Sequence, residues 1–474
     1  MITCRLAVVL LLAAASCQSA PPAAPDARAP VEVWLTTANG ASLMARQGDI
    51  EMSAVAGADI AIDPSTKYQE MIGFGAAITD ASAYLIQTKL NEEARTALIG
   101  DLFGPPPGAN FSFTRFPIGA SDFSLAHYSF NDMPAGRKDP ALASFSIAPA
   151  RAQLLPTLKA AQAANPQLTI MASPWSPPAW MKTTRSLIKG ALREEAYGAF
   201  ALYLRRTIEA FADEGVTIDY ISLQNEPDFE PADYPGMRLS PGQRADIVSS
   251  HVGPELRKAG LDTKILEWDH NWDQPEQPLA VLADADAAAN ISGVAWHCYA
   301  GDVGAQAKVR DVHPDKDVFF TECSGGGWAR EWPESFLWTM KNIVIGTTEN
   351  WSRGAIMWNL ALDENSGPHL GGCGDCRGVV TINSRTGAVT RNSEYYALSH
   401  ASRFVRRGAF RIAGDCAGRG LSCVAFLNPD GSRALVVLNE ADKPVLFTAG
   451  EAGRAFRYEM PAMSAATFVW SEHQ

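Results

Sequence analysis

Between about Tyr68 and Leu362 the chain alternates short apolar runs of strand character, eight in number, with amphipathic helical segments. The runs are Met71–Gly75, Phe111–Phe116, Leu168–Ala172, Tyr220–Gln224, Lys264–Trp268, Gly293–His297, Val318–Thr321 and Gly354–Trp358. Between Glu194 and Asp213, Tyr197, Phe200, Ala201, Leu204, Ile208 and Phe211 share one helical face. Strands that alternate with helices favour parallel pairing through crossover connections. Eight such units over about 300 residues predict a closed (β/α)8 TIM barrel.

The flanks have a different pattern. Val31–Thr37 and Ile60–Asp63 before the barrel, and Ala409–Ile412, Cys423–Asn428, Arg433–Asn439 and Ala466–Trp470 after it, alternate in the manner of antiparallel strands. The N-terminal strands have too few partners of their own, so they are expected to join the C-terminal ones in a single β-sandwich. The expected division is a signal segment at 1–17, an Ala/Pro-rich tether at 18–30, N-terminal sandwich strands at 31–67, the catalytic barrel at 68–393 and the C-terminal sandwich at 394–474.

In a (β/α)8 barrel the active site is built on the C-terminal ends of the strands, and polar residues crowd there in this sequence. In strand order they are Thr79-Asp80, Ser121-Asp122, Trp175, Asn225-Glu226, Asp269-His270-Asn271, His297 with Tyr299, Glu322, and Trp358-Asn359. Glu226 and Glu322 each stand where a buried strand gives way to a loop. Two carboxyl groups flanking one bond are what glycoside hydrolysis requires: one protonates the departing oxygen, the other attacks the anomeric carbon or activates water. With 52 acidic residues most carboxylates of the chain must be solvated or paired; the shared position of these two sets them apart.

A net charge of −12 leaves no basic stripe to neutralise phosphates, which argues against a nucleic-acid partner. The start, Met1–Arg5 followed by the apolar run Leu6–Ala15, reads as an export signal too short to span a membrane. Ala14–Cys17 resembles a bacterial lipoprotein cleavage box, in which Cys17 would carry the lipid and provide the only membrane link; plain signal cleavage is the alternative. The destination is periplasmic, outer-membrane-anchored or secreted, and export permits disulfides. Cys373 with Cys376 and Cys416 with Cys423 are close enough in sequence to form two local bridges, although sequence does not determine connectivity.

Five segments are distinctive: Gly73–Asp80 (Gly-Phe-Gly-Ala-Ala-Ile-Thr-Asp), Ser173–Lys182 (Ser-Pro-Trp-Ser-Pro-Pro-Ala-Trp-Met-Lys), Gln224–Pro227, Phe320–Cys323 and Trp358–Leu362. They resemble the glucosylceramidase family of β-glycosidases, glycoside hydrolase family 30, and the likeness runs over most of the chain after the tether. The resemblance implies a barrel with an attached β-sandwich, a reaction that retains anomeric configuration, and no metal or other cofactor. It places the acid/base at Glu226 and the nucleophile at Glu322, sugar contacts at Asp80, Trp175 and Trp358, and nearby roles at His297 and Tyr299.

Residue chemistry agrees with these roles. Asn225 is placed to hold the sugar 2-OH, or else to cap the turn before Pro227. Asp80 can accept from two hydroxyls, or cap the helix that follows it. Trp faces can stack on a pyranose, and Tyr299 can donate to Glu322. Burial and the neighbouring carboxylate are expected to raise Glu226, and hydrogen bonds to keep Glu322 ionised. The loop Gly367–Arg377 departs from the animal lipid-cleaving pattern, with His369-Leu370 where that pattern has Asn-Trp. The reading is an exported β-glucoside hydrolase, glucosylceramidase-like, acting on a glycolipid or a β-glucan. The alternatives are an endo-β-1,6-glucanase or β-xylosidase of the same family, and a non-catalytic carbohydrate-binding barrel.

Overall fold

The computed structural model describes residues 30–55, 57–416 and 420–471. The expected signal segment with Cys17, and the tether up to residue 29, lie outside the described residues. Eight parallel strands form the barrel: β1 (Gly73–Ala76), β2 (Phe113–Ile118), β3 (Thr169–Pro174), β4 (Tyr220–Ser222), β5 (Lys264–Asn271), β6 (Ile291–His297), β7 (Asp317–Glu322) and β8 (Ser352–Met357). Their order is β1-β8-β7-β6-β5-β4-β3-β2, and each expected run overlaps one of them.

The sheet comes round on itself where β1 meets β2. There the Ser112 amide donates to Phe74 O at 3.0 Å, the Ile78 amide to Arg115 O at 2.8 Å, and the Thr114 hydroxyl to Ala76 O at 2.7 Å. This approach requires glycine at position 75, because a Cβ there would stand 2.1 Å from the Phe113 carbonyl oxygen. Phe113, Met171, Leu266, Ala295, Phe319 and Ile356 fill the interior below the site. The barrel is therefore a packed core and not a pore, open to chemistry only at its upper rim.

Segments before and after the barrel in sequence build the second domain. Its strands run in the order Ala45–Arg46, Glu32–Thr37, Ser464–Ser471, Ser432–Asn439, Leu421–Leu427, Phe410–Gly414, Ile60–Glu70, Val445–Glu451, Arg454–Met460 and Ser53–Ala54. The layers close face to face, with Phe456 stacked on Phe468 at 4.8 Å between ring centroids. Ser432–Asn439 is buried along its whole length. Leu435 and Val437 point into the sandwich core, whereas Ala434, Val436 and Leu438 join the barrel's core. An apolar run with no polar alternation is thus a strand covered on both faces.

The helix Ser393–Ser402 runs across the 393/394 boundary expected from the sequence. Its Glu394 pairs with Arg377 of the barrel at 2.6 Å, and its His400 bonds Thr36 and Thr467 of the sandwich, both at 2.9 Å. Burial, with Arg403 nearby, pushes the His400 imidazole down to about 3. The unfolded chain binds this proton below the ordinary value near 6.5 and the native state does not. The associated stability is complete above 6.5 and is lost as pH falls. Lowering the pH from 7 to 5 should cost about 2 kcal/mol through this group. Urea midpoints at the two pH values should show that loss, and His400→Gln should show a correspondingly smaller one.

The structure contains the bridges Cys373–Cys376 and Cys416–Cys423, and a third, Cys298–Cys323, which joins the ends of β6 and β7.

Candidate active site

Four strands deliver the acidic and cationic centre of the site. Arg115 is the one charge in the otherwise uncharged strand β2 and is wholly buried. Its guanidinium donates to Glu322 Oε2 at 2.5 Å, Asn225 Oδ1 at 2.7 Å, Asp269 Oδ2 at 2.8 Å and Ser173 Oγ at 3.2 Å. Asp269, also wholly buried, accepts from Arg115, Ser173 and Ser222 on one oxygen, and from Thr321 and His297 on the other. Burial would raise its carboxyl, but Arg115 and the hydrogen bonds hold it far below the usual carboxylate range. A buried charge of this kind is stable only because every lone pair has a partner.

The backbone is bent to make these contacts. Glu226 has φ 52° and Asp269 φ 54°, left-handed values that cost a non-glycine residue about 1–2 kcal/mol. The Glu226 amide donates to Asp269 O at 3.1 Å, so the two strained positions brace each other. The β5/β6 register also shifts at Ala295/Trp296, which turns His297 inward. Bulges and strained residues of this kind recur where a strand end must aim a functional side chain.

His297 spans the two carboxylates. Its Nδ1 is 3.1 Å from Glu226 Oε1 and 4.0 Å from Glu322 Oε1, while Nε2 is 3.0 Å from Asp269. Burial alone would push the imidazolium down, but Glu322, Asp269 and Glu226 outweigh it and hold the group up to about 9. His270 Nδ1 stands 3.4 Å from the same Glu226 oxygen. Tyr299 donates to Glu322 Oε1 at 3.0 Å.

The proton affinities reverse the expectation from the sequence. Burial raises both glutamates, yet the imidazoles of His270 and His297 hold Glu226 well below the ordinary carboxylate range. Glu322 is raised by burial, with Glu226 and Asp269 adding to it, against the pull of His297 and Arg115. The cause is the placement of the histidines, which contact Glu226 more closely than Glu322. That balance of charges favours the pair's proton on His297 over Glu226.

Above this network lies a cavity of about 620 Å³ that exposes Asn225, Glu226 and Glu322. Trp175 and Trp358 border it but stack on one another, with ring centroids 5.1 Å apart and 21° between planes. One face of each indole is thus already covered, and Arg115 lies 4.8 Å from the Trp175 ring. Asn225 gives its oxygen to Arg115, leaving its amide nitrogen as the donor available to a ligand.

Asp80 is not among the residues lining this cavity. It opens the helix Asp80–Lys89 and accepts from Tyr128 at 2.9 Å, while Thr79 caps the helix through the Ser82 amide. The additional carboxylates at the cavity wall are Asp233 and Asp122, the latter raised well above its ordinary value by burial and by Glu322 and Glu226. The strand-end pattern put Asp122, Asp269 and His270 at this rim without giving them a role, whereas Arg115, and Trp328 on the cavity wall, were not singled out from sequence. Arg115 carried a legible signal, a lone guanidinium in an otherwise uncharged strand; Asp122 and Asp269 stood at strand ends with nothing to separate them from their neighbours.

Among the described residues, one group of three has the spacing of metal ligands: Glu226, His270 and His297, with ligand atoms within 4.8 Å of each other. The Glu226 and His297 atoms concerned are already joined by a hydrogen bond, an arrangement suited to exchanging a proton.

Residues 71–405 match the glycosyl hydrolase family 30 TIM-barrel domain, and residues 408–468 the family 30 β-sandwich domain. An endo-1,6-β-D-glucanase of Neurospora crassa is 35% identical over 404 residues, covering 81% of this chain and 82% of its own length. The lysosomal acid glucosylceramidase of Mus musculus is 28% identical over 498 residues, covering 98% and 93%. Among solved structures, the endo-β1,6-glucanase BT3312 superposes with a TM-score of 0.88 at 33% identity, over 94% of this chain and 99% of that one. With both of the family's domains matched along one chain, the protein accordingly belongs to glycoside hydrolase family 30.

Proposed function

We propose that the protein is a retaining endo-β-1,6-glucanase, with Glu322 as nucleophile and Glu226 as acid/base. The observation that carries the mechanism is the arrangement of both glutamates around one imidazole. The distances from His297 Nδ1 limit their nearest oxygens to about 7 Å apart, compatible with the ~5–5.5 Å carboxyl separation of double displacement. The substrate reading rests on similarity to proteins named endo-1,6-β-glucanases, at 35% and 33% identity, against 28% for the glucosylceramidase. It also fits the loop Gly367–Arg377, whose Gly372, Cys373 and Cys376 wall the cavity. The preference for a glucosylceramide substrate expected from the sequence gives way to the alternative on these grounds. A signal at residues 1–17 would export the enzyme to where such polymers occur.

The chemistry proceeds in two displacements. Glu322 attacks the anomeric carbon as the C1–O bond breaks, and the leaving oxygen takes a proton from Glu226. Because the balance of charges favours the pair's proton on His297, we read the His297–Glu226 hydrogen bond as the path by which Glu226 acquires it when a sugar enters. Water then enters, Glu226 removes its proton, and Glu322 is released. Tyr299 and Arg115 steady Glu322 in both steps. Asp122 and the amide nitrogen of Asn225 are placed to bind sugar hydroxyls.

The test is incubation with β-1,6-glucan and, separately, with glucosylceramide. A ladder of short oligosaccharides from the polymer, the first products in the β-anomeric form by NMR, is the expected result; glucose released only from glucosylceramide would sink the reading. The pH profile of kcat/KM follows from the same groups. The competent free enzyme holds one proton on the His297–Glu226 pair and none on Glu322. Activity should fall on the alkaline side as that proton is lost near pH 9. On the acid side it should fall above the ordinary carboxylate value, because Glu322 is raised.

A further inference from the structure

A second cavity, of about 470 Å³, opens beside the catalytic one and shares Tyr299 and Trp328 with it. Its remaining walls include the Cys298–Cys323 bridge, Ser324, Glu334 and Trp338. Two exposed indoles line this cavity, Trp328 at 56% and Trp338 at 42% exposure. Indoles displayed together at the mouth of a cleft mark a binding surface more often than chance.

Trp328 is held in place by its backbone. Gly325 pairs with Arg377 and Gly326 with Cys376, the Gly327 amide donates to Asp375 O at 2.8 Å, and the Ala329 amide turns back to Gly326 O at 3.1 Å. The indole then lies against Gly326 so closely that a Cβ at that position would be 2.2 Å from a ring atom. One part of the ring is seated on the glycine, and the rest is presented between the two cavities. The run of three glycines before Trp328 thus serves to lay an aromatic surface along the cleft.

The position also gives a direction. Asp122, Trp175 and Trp358 lie beyond β2, β3 and β8, whereas the second cavity is built beyond β6 and β7, on the opposite arc of the barrel. A sugar held at the first arc with its anomeric carbon toward Glu322 directs the rest of its chain toward the second. We propose that this cavity is a glucosyl subsite on the leaving-group side, with Trp328 and Trp338 as stacking surfaces and Glu334 as an acceptor for hydroxyls. The proposal rests on the β-1,6-glucanase reading and adds to it a preference for long chains.

The experiment measures kcat/KM for β-1,6-gluco-oligosaccharides of two to six units with wild type, Trp338→Ala and Gly326→Ala. Trp338 is a surface residue, and the three atoms nearest a Cβ at Gly326 all belong to the Trp328 ring, which the substitution would displace. Wild type should gain with length, and each variant should lose roughly tenfold or more on the longest substrate while the shortest one cleaved is unaffected. An unchanged length dependence in both variants, or an equal loss at every length, would overturn the subsite alone. Wild type inactive on every member of the series would overturn the β-1,6-glucanase reading, and the subsite with it.

Discussion

Replacing Glu322 with Gln should lower turnover of β-1,6-glucan by roughly 10⁴-fold or more, with the fold intact. The amide fills the same volume and can still meet Arg115 and Tyr299, but it cannot form the covalent bond to the anomeric carbon. Glu226→Ala should behave differently, and the difference separates the two roles. On a nitrophenyl β-1,6-gluco-oligosaccharide, whose leaving group needs little protonation, the first displacement should survive and the second should stall for want of a base. The expected signature is a burst of nitrophenol followed by a slow steady state. Added azide should accelerate that phase and yield a β-glycosyl azide. Azide rescue of the Glu322 variant instead, or of neither, would require the roles to be reassigned.

Arg115→Met should be the most destabilising single change near the site. It removes the cation that faces Asp269 at 2.8 Å and Glu322 at 2.5 Å, all three groups being shut away from solvent. Breaking one partner out of a buried charge cluster costs about 3–5 kcal/mol, because the remaining charges keep their desolvation penalty and lose its compensation. The loss should appear in the urea midpoint at pH 7. In any folded fraction the acid limb of kcat/KM should move to higher pH, since Arg115 is one of the charges that lower Glu322. The double variant Arg115→Met, Asp269→Asn should recover part of the stability and none of the activity. Its stability is non-additive because each single change takes one counter-charge from a buried group that keeps its charge, leaving Asp269 only His297 or Arg115 only Glu322, whereas the double change removes both members of the pair. Additive losses would show that the pair is not coupled.

The strand-end rule explains why much of the site could be read without coordinates. Glu226, Glu322, His297 and Tyr299 each stand at the end of an apolar run or within two residues of it, and barrel closure brings every strand end to one rim. The same rule could not separate Asp80 from Asp122. Both follow a strand, but Asp80 opens a helix and turns to Tyr128, while Asp122 borders the cavity. Arg115 was legible as an isolated charge in β2, yet its four acceptors come from β3, β5, β7 and the loop after β4, a convergence no local window contains. The order of the two glutamate affinities was misread for a related reason. Burial alone favours the protonated acid, but His270 and His297, 44 and 71 residues away in sequence, decide which glutamate remains charged.

By itself the amino-acid sequence determined what is periodic or local: eight strands and their crossovers, the sandwich strands at both ends, the helix faces, and the two carboxylates at strand ends. These follow from alternation and helical spacing, which neighbouring residues express without help from distant ones. Only the tertiary structure decided the Arg115–Asp269–His297 network, the Cys298–Cys323 bridge, the mutual stacking of Trp175 and Trp358, and the seat of Trp328 on Gly326. Each joins segments far apart in sequence or depends on how a backbone turns in space. Their geometry comes into being when the barrel closes, because closure is what gathers the strand ends at one rim.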